Sequence, residues 1–116
     1  MVEVVVTDEF KAWYGGLSEL DALAVNRYVD LLEQRGVTLD HPCSSKVNGS
    51  KYALRELRVQ SSGRPLRALY VFDPARNAVL LIGGDKTGDD RFYERTIPIA
   101  DRIYETYLEE TGQAKK

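Results

Sequence analysis

One cysteine, one histidine, one tryptophan and one methionine are all that 116 residues hold of those four types. A lone Cys43 cannot close an internal disulfide, which agrees with a reducing compartment. Cys43 and the single His41 are too few for a structural zinc site, so neither a metal nor another cofactor is expected. No apolar run approaches membrane-spanning length, and no basic segment near Met1 leads into an apolar one. The expectation is a cytoplasmic protein with no membrane partner. A basic excess is missing too: the net charge of −2 argues against a protein that coats nucleic acid non-specifically. With 43% hydrophobic and 29% charged residues, the composition is that of an ordinary globular chain. Its length suits one domain, residues 1–116, with a core that needs no staple.

The charge that is present is unevenly placed. Residues 44–70 carry Lys46, Lys51, Arg55, Arg58, Arg64 and Arg67 against Glu56 alone, a local charge of +5 that leaves −7 on the remainder. A basic centre in an acidic surround points to a local anionic ligand, although a solvated sheet face could carry the same residues.

Residues 2–6, VEVVV, predict a strand too apolar for an edge exposed on both faces. Thr7 or Asp8 can cap a short helix with Phe10, Trp13, Tyr14 and Leu17 at helical spacing, broken by Gly15-Gly16. Those aromatics read as core, with a base-stacking platform as the alternative. Ser18 and Asp21 resemble a capping box opening a second helix, which Gly36 ends. Leu20, Leu23, Ala24, Tyr28, Leu31 and Leu32 form its expected apolar stripe. The two helices predict a helical hairpin across one face of a sheet.

Residues 37–50 read as a polar loop. His41 is a general-base candidate by residue type, but it precedes a proline and has no carboxylate or nucleophile at a telling spacing. Residues 52–59, 65–72 and 78–82 predict three antiparallel strands in a meander. They are joined by the polar loop 60–64 and by Asp73-Pro74-Ala75-Arg76-Asn77, where Asn77 tolerates positive φ. A last helix is expected from Thr96-Ile97-Pro98, with Pro98 in its first turn and Gly112 closing it. The tail, Gln113 to Lys116, should fray. The fold class is therefore α+β: N-terminal strand, helical hairpin, three-stranded antiparallel meander and C-terminal helix.

Chemistry concentrates in the meander. Alternation places Arg55, Leu57 and Val59 on one face of the first strand, and Glu56 and Arg58 on the other. In the second strand Arg67 shares its face with Leu69 and Val71, so its guanidinium needs a partner: Glu56, Asp85 or a phosphate. Gly83-Gly84 is expected to turn the backbone sharply or bring it close to a ligand, delivering Asp85, Lys86, Arg91 and Tyr93 nearby. Arginine, lysine and tyrosine without a Ser/His/Asp set suit a phosphodiester. Guanidinium groups stabilise developing phosphorane charge, lysine or tyrosine moves protons, and RNA brings its own 2′-hydroxyl as nucleophile.

The order of elements, with ALRELR, then RALYVF, then VLLIGGDKTG, resembles the RelE/ParE toxin superfamily, and more narrowly its phage-derived HigB-like branch. The resemblance implies a RelE-like small α/β sandwich and a toxin of a type II toxin–antitoxin system. RelE-like members are metal-independent endoribonucleases that generally cut mRNA on the ribosome and thereby inhibit translation. A cognate antitoxin, often a helix-turn-helix protein, neutralises them. The implied catalytic residues are Arg67, at the scissile phosphate; Arg58, from the ELR motif; Lys86, after the last strand; and Tyr93, the late tyrosine. Thr87 stands where relatives often have a second lysine. Lys51, Arg55, Arg64 and Arg91 are the expected RNA-binding cations. Two other readings stay open: a ParE-like inhibitor of DNA gyrase without nuclease activity, and an inactive interaction module with the toxin fold.

Overall fold

The chain builds from its N-terminus by local capping. The computed structural model describes residues 1–114; Lys115 and Lys116, in the tail expected to fray, lie outside them. A short strand β1, Val4–Val6, leads into helix α1, Asp8–Gly15. Thr7 caps that helix by accepting from the Phe10 amide, and Asp8 and Glu9 complement the positive end of its dipole. Helix α2, Glu19–Arg35, starts at Ser18, whose hydroxyl accepts from the Asp21 amide, and ends at Gly36 with φ of 55°. The Asp21 carboxylate is directed to Ser61 and Arg64. The expected stripe of α2 is rotated: Asp21, Ala24, Val25 and Leu32 are buried, whereas Leu20 and Leu23 are exposed.

Strands β2 (Ser44–Lys46), β3 (Arg55–Ser61), β4 (Arg64–Phe72) and β5 (Ala78–Asp85) follow, then helix α3, Phe92–Glu110. The sheet order is β1-β5-β4-β3-β2, with β1 parallel to β5 and the other neighbours antiparallel. The α+β class and the expected order of elements hold. Helices cover both faces. On one face α1 and α2 pack Phe10, Val25 and Leu32 over Leu57, Leu66, Tyr70 and Leu80. On the other, α3 packs Phe92, Ile97, Ile103 and Tyr104 over Leu54, Leu69, Val71, Val79 and Leu81. Among the described residues no helix is long and apolar enough to cross a membrane.

Several expectations need correction. The stretch read as one polar loop contains β2, a three-residue edge strand on β3, held by buried Ser44 against the Tyr70 hydroxyl at 2.5 Å. The β3–β4 connection is shorter than expected. Ser62 and Gly63 both take positive φ (51° and 76°), the geometry of a two-residue hairpin turn whose twist matches the strands. In the next turn Arg76, not Asn77, takes positive φ; Asn77 instead bonds the Asp73 carboxylate. The last helix begins at Phe92, so Pro98 is interior, on the exposed side of the helix, where its missing amide removes one helical hydrogen bond. Gln113 does not fray: its side chain donates to Asp73 and its amide to the Leu108 carbonyl.

Gly83 and Gly84 do not turn the chain. They lie inside β5, opposite Ala68 and Arg67, and make room for aromatic rings on opposite faces. A Cβ on Gly83 would stand 2.3 Å from Trp13, and one on Gly84 would stand 2.7 Å from Phe92. A ring pressed on the backbone requires the missing side chain. Trp13 and Phe10 are therefore packing residues, their rings edge to face at 5.4 Å.

Candidate active site

The site forms where β3 and β4 run side by side beneath the first turn of α3. The period of two puts Glu56 and Arg58 on the α3 face of β3, and Arg67 on the same face of β4. The antiparallel register sets Arg58 directly opposite Arg67. Like charges at facing positions repel, so the pair needs an anion.

Glu56 supplies one carboxylate for both. It is buried, and every contact it makes comes from a different element. Its Oε1 accepts from the Tyr93 hydroxyl at 2.6 Å. Its Oε2 accepts from the Ser45 hydroxyl at 2.9 Å and from Arg58 Nη1 at 3.4 Å. Arg67 Nε stands 3.7 Å from Oε1, close enough for charge attraction but beyond a hydrogen bond.

Arg67 is only 4% exposed. Its Nη1 donates to the Leu66 carbonyl at 3.1 Å, and its Nε is the one fully buried side-chain nitrogen or oxygen without a hydrogen-bond partner among the described residues. Leaving a charged donor buried and unpaired is costly, so the guanidinium keeps hydrogen-bonding capacity that the surrounding side chains do not use. Tyr93 reaches the site from the first turn of α3. Burial pushes its phenol above the ordinary tyrosine value, the hydrogen bond to Glu56 adds to this, and nearby Arg67 opposes it. The phenol is therefore a proton-bearing donor at neutral pH. Lys86 lies just beyond β5; its Nζ is 5.2 Å from the Tyr93 ring centroid, and its amide is tied to the Pro65 carbonyl at 2.9 Å.

A cleft of about 340 Å³ opens over this group, lined by Ser45, Lys46, Val47, Asn48, Glu56, Arg58 and Tyr93. Arg58, Arg67 and Lys86 outnumber the one carboxylate, so the arrangement can hold an anion, stabilise charge that grows on it, and offer a proton.

The fold thus brings together Arg58, Arg67, Lys86 and Tyr93. It does not bring the four expected RNA-binding cations to the cleft. Arg55 projects to the opposite face and bonds Ser44, Tyr70, the Leu39 carbonyl and Asp40. Arg64 is also on that face, clamped between Asp21 and Asp85, which also removes Asp85 as a partner for Arg67. Lys51 pairs with Glu105 at 2.7 Å, and Arg91 is exposed beside Glu94 at 4.0 Å. His41 is exposed and does not line the cleft. Sequence reasoning treated Glu56 as one option for Arg67 and passed over Ser45 and Asn48. The signal for Glu56 was its place two residues before Arg58 on the same face; β2, which carries Ser45, had no signal of its own.

Comparison with known proteins matches the sequence of this chain to a family. The model described as "Phage derived protein Gp49-like (DUF891)" matches residues 12–105. A protein of Mycobacterium tuberculosis named "Putative toxin HigB3" is 41% identical over 107 residues, covering 90% of this chain and 92% of that one. Another from the same organism, named "Putative toxin HigB2", is 33% identical over 111 residues, 93% of this chain but 55% of that longer protein. Among solved structures, the conserved hypothetical protein HP0894 from Helicobacter pylori superposes with a TM-score of 0.46 at 17% identity, over 73% of this chain and 94% of that one. Given a match through both the helical hairpin and the site-bearing sheet, this chain belongs to the phage-derived Gp49-like family.

Proposed function

We propose that this chain is the toxin of a type II toxin–antitoxin pair, in the HigB-like branch of the RelE/ParE superfamily, and that it cleaves mRNA on the ribosome. The observation that carries this reading is Arg67: a buried guanidinium with an unpaired Nε, facing across the ladder Arg58, which lines the cleft. A scissile phosphate provides the acceptor that Arg67 lacks and the negative charge that the arginine pair needs. The names of the relatives support the toxin assignment.

In this mechanism the 2′-hydroxyl oxygen attacks the adjacent phosphorus while the bond to the 5′-oxygen breaks, leaving a cyclic phosphate and a free 5′-hydroxyl. Arg58 and Arg67 hold the phosphate and stabilise charge on the phosphorane oxygens. Lys86 neutralises the leaving oxygen and protonates it. Tyr93 contacts the attacking hydroxyl. The nucleophile belongs to the RNA and the charge stabilisation to the guanidinium groups, so the scheme uses no metal or cofactor. The ribosome presents the message, which relaxes the need for a basic protein surface. A cognate antitoxin with a helix-turn-helix is the expected partner, and the cytoplasm the expected compartment.

Pulsed expression with measurement of growth and mRNA integrity tests the reading. Arrest with transcripts cut inside reading frames, abolished by Arg67→Ala, is expected. Arrest with intact transcripts and DNA-damage signalling would instead favour a gyrase inhibitor, and harmless expression an inactive interaction module.

A further inference from the structure

The cleavage scheme leaves one proton without a destination. The attacking 2′-hydroxyl must lose it, yet Arg58, Arg67 and Lys86 enter as cations and Tyr93 already carries its own. Apart from Glu56, no carboxylate lines the cleft. Asp85 accepts from Thr87 and Arg64 on the far face, Asp89 is bonded to Arg95, and Glu94 lies exposed beside Arg91. Among the residues that line the cleft, Glu56 is the sole carboxylate, and its Oε1 already accepts the Tyr93 hydroxyl at 2.6 Å.

Resting on the nuclease reading, we propose that Glu56 is the terminal proton acceptor of the reaction, reached through Tyr93. As O2′ bonds to phosphorus, the 2′-hydroxyl proton passes to Tyr93 Oη and the phenolic proton moves to Glu56 Oε1. As the bond from phosphorus to O5′ breaks, Lys86 gives O5′ a proton. Glu56 ends as a neutral carboxyl and Lys86 as a neutral amine, and exchange with solvent resets both. The groups facing Glu56 suit this role: Ser45 from β2 and Arg58 from β3 hold Oε2, leaving Oε1 to Tyr93 from α3, with Arg67 from β4 alongside. Such an arrangement gives the proton a continuous path from Tyr93 to Glu56. Glu56 is then a positioning and relay residue, not merely a counter-ion for two arginines.

The test is single-turnover cleavage of a ribosome-bound message by the parent chain, Glu56→Gln, Tyr93→Phe and the double variant, across a pH series. Each single variant is expected to slow cleavage about a hundredfold or more, the scale of general-base catalysis, while message binding is retained. The double variant is expected to be no slower than the slower single, and the decline of the parent's rate at acid pH to vanish in Glu56→Gln. Losses that multiply in the double variant, or an acid decline that survives in Glu56→Gln, overturn the relay and leave the nuclease reading standing. If Glu56→Gln does not fold, Tyr93→Phe decides, because it leaves the Ser45 and Arg58 contacts of Glu56 in place. Loss of its acid decline supports the relay; parent-like rate and profile overturn it. A parent chain that cuts no message overturns the nuclease reading and this inference with it.

Discussion

On the face covered by α1 and α2, Arg55 and Arg64 are surrounded by acceptors: Asp40, Ser44 and Tyr70 for the first, Asp21 and Asp85 for the second. On the face under α3, Arg58 and Arg67 confront each other with one carboxylate between them, and one Nε is left unpaired. These four arginines come from the same two strands. Their residue type and sequence neighbourhood are alike; the supply of acceptors from the elements packed above is not. An arginine with acceptors in excess holds the fold together. An arginine pair short of acceptors has binding capacity left for a ligand.

The sharpest way to break that comparison is to truncate one arginine on each face. Arg67→Ala is expected to lower message cleavage by about 10²–10³-fold, the cost of losing a preorganised charge-stabilising donor. Arg55→Ala is expected to lower melting temperature with cleavage retained. Equal loss of cleavage from a stably folded Arg55→Ala would erase the distinction.

Next in size, Gly83→Ala drives a methyl into Trp13 on the hairpin face and should destabilise the protein by about 1–3 kcal/mol in denaturant titration. Gly84→Ala meets Phe92 on the other face, immediately before Tyr93. It is expected to lose cleavage as well as stability, whereas folded Gly83→Ala keeps its cleavage. A Gly84→Ala protein with parent-like cleavage would show that α3 can shift without disturbing the site.

The two faces should also respond to pH in opposite directions. The hydrogen bond from Arg64 holds the Asp21 carboxyl below its ordinary value, and the Thr87 hydroxyl, helped by Arg64, does the same for Asp85. Their stabilisation is complete above the ordinary carboxylate value of about 4 and is lost as pH falls through the depressed values. Tyr93 is raised, chiefly by burial, so its contribution is complete below the ordinary tyrosine value of about 10 and is lost as pH rises through the raised one. Thermal melts across pH should therefore show Arg64→Gln flattening the acid limb and Tyr93→Phe flattening the alkaline limb. The smallest effect belongs to Arg91→Ala: its exposed pair with Glu94 is expected to change stability by less than about 0.5 kcal/mol. A large loss of cleavage there would extend the site beyond the cleft.

Local signals in the sequence carried much of this architecture. Thr7, Ser18 and Gly36 marked helix ends because capping chemistry is satisfied within a few residues. The meander was legible from alternating runs and turn residues, though its boundaries moved. Gly83-Gly84 was misread because a glycine pair signals a turn unless a ring arrives from elsewhere, and Trp13 is 70 residues away in the chain. Helix α3 began early for a similar reason: Phe92 packs on the space above Gly84, a contact that outweighs the preference of Pro98 for a first turn.

By itself, the sequence determined which residues could share a face, because the alternation of a strand is a property of the backbone. It placed Glu56 with Arg58, and Arg67 with Leu69 and Val71, before any partner was known. Only the tertiary structure decided that Arg58 and Arg67 face each other, that Tyr93 reaches Glu56, and that Arg55 and Arg64 belong to the opposite surface with acceptors of their own. Register, helix docking and the distribution of carboxylates are set by contacts between residues distant in the chain, and local periodicity carries no record of them.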